Sequence, residues 1–285
     1  MLIPENLRWM LTADAPRRDW IASLPALVTD LAGRWSLRLG DPYRPGGSSA
    51  WVAPATRANG SRAVLKVGML HYEALHEAEG LRFWSGHGAV QLLQSEQYGQ
   101  TTALLLEQCL PGTMLSKALP PQKRDEVIAA LLPRLWTTPV DGHPFRPLQS
   151  MTDAWADSYE SSGHKAPDPA LAEVALTMWR ELPTSTPREV LLCTDLHPDN
   201  VLSAEREPWL MVDPKPYVGD PSYDPIQHML NFPARLQADP TAFATRMATL
   251  LDLDPTRVRH YLFARCILES RKTPSFWPIA KATAP

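Results

Sequence analysis

Apolar residues recur at helical spacing over residues 19–33, where Trp20, Ile21, Leu24, Leu27, Val28 and Leu31 share one face. Asp19 is placed to cap the start of this predicted helix and Gly33 to close its end. The period then shortens. In RWSLRLG, Trp35, Leu37 and Leu39 alternate with polar residues, SSAWVAP continues extended, and SRAVLKVG completes a β-rich run after the turn RANGS. YEALHEAEGLRFWSG returns to helical spacing through Leu75, Ala78, Leu81, Phe83 and Trp84, and Gly86 and Gly88 stop it. AVQLLQSEQYG and TTALLLEQCL predict two further strands. Helix, three strands, helix, two strands implies an antiparallel sheet with a helix packed across it.

After CLPGTML the pattern is helical: QKRDEVIAALLPRLW, MTDAWADSYE, PALAEVALTMWREL, PTAFATRMATLLDL and PTRVRHYLFARCILES, with only the 190–213 region reading as strand. The expected fold class is α+β in two lobes, a β-rich lobe over 1–108 and a helical lobe over 109–285. The prolines, 29 in all, fall mostly between these segments and serve as loop punctuation.

With 285 residues the chain is long enough for two cores, and 44% hydrophobic with 21% charged residues excludes a disordered or fibrous class. A net charge of -3 supplies no basic field, so nucleic acid is not an expected partner. Cys109, Cys193 and Cys266 are odd in number, far apart and without a CxxC pair, which fits reduced thiols in the cytoplasm and disfavours zinc. No apolar run approaches the ~20 residues of a membrane span, and the N-terminus has no signal-like pattern, so neither membrane nor export is expected.

Chemistry concentrates in CTDLHPDNVL and the following WLMVDPK. A strand, a polar loop and two short apolar strands ending at Asp213 predict a hairpin that brings Asn200 near Asp213, with Asp195 in the same mouth. An Asn carbonyl and an Asp carboxylate are hard oxygen donors suited to magnesium, and a further Asp that accepts a hydroxyl proton completes a minimal set for phosphoryl transfer to an alcohol. In AVLKVG, Lys66 lies on a strand, and the next helix offers Glu77 or Glu79 as its partner. The loop RPGGSSAWV, with Gly46, Gly47, Ser48 and Ser49, lets backbone N–H groups approach phosphates. His197 has no second histidine at metal spacing and Cys193 no nucleophile's partners, so both read as structural; the tryptophans Trp20, Trp35, Trp84, Trp136 and Trp179 read as core.

These segments together, from LAGRWSLRLGDPYRPGGSSAWVAPATRANGSRAVLKVG through HEAEGLRFWSGHGAVQLL and LLLEQCLPG to TDLHPDNVL and VDPKPYVGDPSYD, resemble the aminoglycoside phosphotransferase family of the protein-kinase-like fold, most closely its streptomycin/hydroxyurea kinase branch. The resemblance implies Asp195 as catalytic aspartate, Asn200 and Asp213 as magnesium ligands, and Lys66 as the phosphate-binding lysine, partnered by Glu77. It makes the segment from Leu106 to Cys109, with Glu107 and Cys109, the contact for the nucleotide base, ATP being the expected donor and GTP the alternative. Asp220 braces a loop in this reading. The implied acceptor is a hydroxyl of a cationic aminoglycoside, streptomycin foremost, with Asp153, Asp157, Glu160, Asp224, Glu269 and Trp277 as candidate contacts. Two other readings stand beside it: a kinase of another small hydroxylated compound such as hydroxyurea, and a catalytically weak nucleotide-binding protein. The second draws on one departure: Cys193 and Thr194 replace the family's usual His-Gly before the aspartate, and Asp199 replaces a glycine. A cysteine does not reproduce the histidine's ring hydrogen bonds.

Overall fold

Alternation of apolar and polar residues resolves into five strands that build one antiparallel sheet. These are β1 (Arg38–Leu39), β2 (Ala50–Thr56), β3 (Arg62–Met69), β4 (Leu92–Tyr98) and β5 (Thr101–Glu107), in the order β1-β2-β3-β5-β4. The computed structural model describes residues 1–285, which divide into two units, Met1–Gly112 and Thr113–Pro285.

Within the first unit, the pleat sorts the side chains of β3 and β5. Ala63, Leu65 and Val67 of β3 and Ala103 and Leu105 of β5 point to one face and join a buried cluster with Trp20, Ile21, Leu24, Val28 and Leu31 of helix α1 (Ala15–Arg34). Leu7 and Met10, from a 3-10 segment Glu5–Thr12, close the cluster. By the same period of two, Lys66 faces the other side of the sheet, toward helix α2 (Glu77–Trp84).

Two boundaries differ from expectation. α1 begins five residues early, because Asp14 rather than Asp19 caps it through the Arg17 N–H at 3.1 Å, and Gly33 lies inside it. Trp35 ends that helix instead of opening a strand, so β1 is only two residues long.

In the second unit the helices are α3 (Leu115–Ala118), α4 (Pro121–Leu135), α5 (Leu148–Ser161), α6 (Pro169–Glu181), α7 (Ile226–Leu230), α8 (Pro233–Ala238), α9 (Pro240–Leu251), α10 (Pro255–Ser270) and α11 (Phe276–Thr283). α10 is the central one, buried through Val258, Tyr261, Leu262, Phe263, Ala264, Cys266 and Ile267. The strands are β6 (Arg146–Pro147), β7 (Val190–Leu192), β8 (Val201–Ser203), β9 (Trp209–Met211) and β10 (Tyr217–Gly219). β8 and β9 form a hairpin, while β6, β10 and β7 form a separate small sheet. β6 and β10 were not legible from the sequence pattern: β6 is an Arg-Pro pair with no apolar run, and in β10 Tyr217 and Val218 stand between Pro216 and Gly219, which read as loop punctuation.

A buried charge cluster ties four of these helices. Asp125 of α4 is fully buried and accepts from His228 of α7 at 2.9 Å, from both terminal nitrogens of Arg235 of α8 at 2.8 and 2.7 Å, and from Arg246 of α9 at 2.8 Å. Burial alone would raise the Asp125 carboxyl, but these bonds hold it well below the usual carboxylate range. Burial also pushes His228 below its ordinary value, against the pull of Asp125. No helix is long and apolar enough to cross a membrane.

Candidate active site

In the first unit the lysine has found its partner. Lys66 Nζ donates to both carboxylate oxygens of Glu77, at 2.7 Å each, and the side chains are only 14% and 6% exposed. Glu79, the alternative, faces Arg82 at 3.5 Å. A charge pair this buried persists only when its geometry is well satisfied, and the bidentate contact fixes the ammonium at one place on the sheet.

The glycine loop is held from behind. Asn6 N–H donates to Pro45 O at 3.1 Å, Asn6 Nδ2 to Gly46 O at 2.7 Å, and Trp9 Nε1 to Ser48 O at 3.0 Å. Met69 N–H reaches Ser49 O at 3.3 Å. With these carbonyls engaged, the loop conformation is set by the N-terminal 3-10 segment. Gly46 has a positive φ of 86°, and a Cβ there would meet Pro4 at 2.6 Å, so glycine is required on both counts. Gly47 and the Ser48 side chain are exposed. Glu107 is occupied at the end of β5: its carboxylate accepts from Gln91 N–H at 3.0 Å and its own N–H donates to Gln91 O at 2.9 Å. Cys109 is buried.

The second unit gathers Asp195, Asn200 and Asp213. β8 and β9 pair in register Val201 to Met211, and Val212 N–H donates to Asn200 O at 2.9 Å, so Asn200 and Asp213 flank the same end of the hairpin. Asn200 Nδ2 donates to Asp195 O at 3.1 Å, so the loop backbone engages the amide's nitrogen and not its acceptor oxygen in this contact. Asp213 is exposed and left-handed, with φ 55°. One amide oxygen and one exposed carboxylate are the hard donors that suit a magnesium ion sharing its shell with phosphates.

Lys215, two residues past Asp213, was given no role by the sequence reading. Its Nζ lies 2.9 Å from Asp195 Oδ2, with side chains 29% and 16% exposed. Its backbone is laced to the same loop: Lys215 N–H donates to Cys193 O at 3.0 Å, and Thr194 Oγ1 donates to Lys215 O at 2.6 Å.

The loop lacks the family's histidine but not a brace. Asp224, fully buried, accepts from Thr194 N–H at 2.7 Å through Oδ1, and from Trp136 Nε1 at 2.9 Å and Cys193 N–H at 3.2 Å through Oδ2. The Cys193 thiol adds a 3.5 Å contact to Oδ2. Burial lifts the Asp224 carboxyl above its ordinary value while these donors pull it down, and burial with the Asp224 charge pushes the Cys193 thiol well up. Thr194 occupies φ 46°, a conformation costly for a β-branched residue and easy for the glycine it replaces. Its N–H and hydroxyl bonds hold it there.

Asp224 is therefore not an acceptor contact, contrary to expectation: it has no exposed surface and its oxygens are committed to the loop. Asp153, Asp157 and Glu160 of α5 surround Arg180 at 3.8, 3.0 and 2.8 Å. Glu269 pairs with Arg265 at 2.9 Å, and that guanidinium lies 4.5 Å from the Trp155 ring centre. Burial raises the Tyr223 phenol; Arg265 opposes this, while the Asp224, Asp195 and Glu269 charges reinforce it. Trp277 of α11 is half-buried. Asp220 is buried and braces locally, accepting from Ser222 N–H at 2.9 Å and pairing with Arg257.

The two-part architecture is that of protein-kinase-like phosphotransferases. A solved amicoumacin kinase, in complex with a nucleotide analogue, calcium and its antibiotic, superposes with a TM-score of 0.60 at 13% identity, covering 91% of each chain. The family model for aminoglycoside/hydroxyurea antibiotic resistance kinases matches residues 34–273, and the chain belongs to that family. It is a small-molecule kinase that transfers a phosphoryl group from ATP to a hydroxyl. Streptomycin 6-kinase of Streptomyces griseus is 36% identical over 217 residues, 73% of this chain and 67% of that protein. Hydroxyurea phosphotransferase of Kitasatospora aureofaciens is 34% identical over 242 residues, 81% of this chain and 67% of that protein.

Proposed function

We propose that the protein phosphorylates a hydroxyl of streptomycin or a closely related aminoglycoside, with ATP as donor and magnesium as the metal. The observation that carries this reading is the grouping of Asp195, Asn200 and Asp213 at one end of the β8–β9 hairpin, in a chain 36% identical to a streptomycin 6-kinase.

Asn200 and Asp213 would hold the magnesium ion, which neutralises phosphate charge when bound. In the first unit, Lys66, fixed by Glu77, and the glycine loop over residues 46–49 are the groups suited to the donor's phosphates. The segment at Glu107 and Cys109 meets the base. Asp195 receives the acceptor's hydroxyl proton as the new oxygen–phosphorus bond forms and the bond to the departing ADP breaks. Catalysis is then mainly alignment plus charge stabilisation. Glu269, Asp153, Asp157, Glu160 and Trp277 are the candidate contacts for a cationic acceptor.

Hydroxyurea is the second acceptor, favoured by the 34% identity to a hydroxyurea phosphotransferase. The two are separated by measuring magnesium- and ATP-dependent ADP release against streptomycin, other aminoglycosides and hydroxyurea, together with the mass of each acceptor. Streptomycin gaining one phosphate is the expected result. A phosphate on hydroxyurea alone would reassign the substrate, and ADP release with no acceptor modified would remove both.

A further inference from the structure

We propose that Lys215 is a catalytic residue of the phosphoryl-transfer site, an ammonium that aligns Asp195 before transfer and stabilises the phosphoryl oxygens during it. The proposal rests on the reading of Asp195 as the residue that receives the acceptor's proton.

The geometry is specific. Lys215 Nζ sits 2.9 Å from Asp195 Oδ2 in a contact only 16% exposed on the aspartate side. The two backbones are tied independently of that contact, through Lys215 N–H to Cys193 O at 3.0 Å and Thr194 Oγ1 to Lys215 O at 2.6 Å. Asp195 N–H itself donates to Cys193 O at 2.7 Å, so one carbonyl serves both residues. Pro214, with its fixed φ, links Lys215 to Asp213 and limits how far the lysine moves relative to the hairpin end. The backbone bonds fix the Cα from which the ammonium reaches Asp195.

Charge bookkeeping through the reaction gives this placement its purpose. Before transfer, the anion next to Lys215 is the Asp195 carboxylate. As the acceptor oxygen bonds to phosphorus and the bond to ADP breaks, the hydroxyl proton passes to Asp195, which becomes neutral. The negative charge beside the lysine is now on the transferred phosphoryl group. An ammonium has three donors and can serve a carboxylate oxygen and a phosphoryl oxygen together. The ammonium is then never without an anionic partner. A fixed cation where charge develops needs no reorganisation at the moment of reaction.

Lys215→Met and Lys215→Arg test this in the full-length chain, with two readouts. The first is kcat and KM with ATP, magnesium and streptomycin. The second is calorimetric affinity for magnesium ADP with and without fluoroaluminate, a mimic of the phosphoryl group in transit that needs no acceptor. Lys215→Met should lower kcat on the order of 10²-fold, change the KM for ATP by no more than about threefold, and lose the tightening that fluoroaluminate gives the wild type. Lys215→Arg should recover part of both. Unchanged tightening in Lys215→Met, or a loss of ADP affinity and melting temperature with the tightening ratio intact, would overturn the proposal. Tightening that depends on Lys215 in a protein that phosphorylates none of the acceptors would instead remove the streptomycin reading and leave the role of Lys215 standing.

Discussion

Replacing Asp224 by asparagine tests whether the catalytic loop is braced from beneath. The carboxylate serves three N–H donors, Thr194 at 2.7 Å on one oxygen and Trp136 and Cys193 at 2.9 and 3.2 Å on the other. An asparagine keeps one acceptor oxygen, and its best orientation gives that oxygen to Trp136 and Cys193, leaving the Thr194 N–H against an NH₂ group. One buried donor without an acceptor costs about 1–3 kcal/mol, partly offset because a buried charge has been removed. Asp224→Asn should therefore lose about 2 kcal/mol, and Asp224→Ala, which strands all three donors, about 4 kcal/mol or more. Against a typical total of ~5–15 kcal/mol both are large. Thr194 is held at φ 46° by that same bond, so its loss should let the residue relax and shift Asp195. A displacement of that kind predicts a fall in kcat on the order of 10–10²-fold, even in the folded fraction. Urea unfolding followed by tryptophan fluorescence gives the stability, and ADP release gives kcat. An Asp224→Asn protein within ~0.5 kcal/mol of wild type and with unchanged kcat would refute the reasoning.

Two further perturbations probe neighbouring features. Asp125→Ala leaves Arg235, Arg246 and the buried His228 without their shared acceptor, and should cost about 3–5 kcal/mol in urea unfolding. In the wild type, the Asp125 carboxyl and the His228 ring are both held below their ordinary values, so the unfolded chain takes up protons first as pH falls. Melting temperature should therefore decline below about pH 6.5 and more steeply below about pH 4; Asp125→Asn should show a shallower acid decline. Cys193→His, which installs the residue that the family resemblance implies, places an imidazole where a fully buried thiol lies 3.5 Å from Asp224. Overpacking should destabilise it by about 1–3 kcal/mol, and melting at or above wild type would show that the pocket accommodates the ring.

The sequence made the local chemistry readable and hid what supports it. Asp195, Asn200 and Asp213 sit in one hairpin, so spacing alone brought them together, and the period of two put Lys66 on the face of β3 opposite Leu65 and Val67. The start of α1 was misplaced for a related reason: residues 14–19 are mostly exposed, and the apolar period begins only at Trp20, where burial begins. The apolar period of α2 does not mark Glu77, a buried glutamate; pairing with the strand lysine, Lys66, is what singled it out. The acidic candidates were chosen by charge, which does not tell a carboxylate with no exposed surface, Asp224, from one at the surface, Asp157. Thr194 reaches its brace 30 residues along the chain, and Lys215 its aspartate 20 along, separations at which no period operates. A long-range brace also accounts for the cysteine. Once Asp224 accepts the loop's two N–H groups, the residue preceding Thr194 need only be small enough to let them reach it, and the histidine that the resemblance leads one to expect there is not required for that brace.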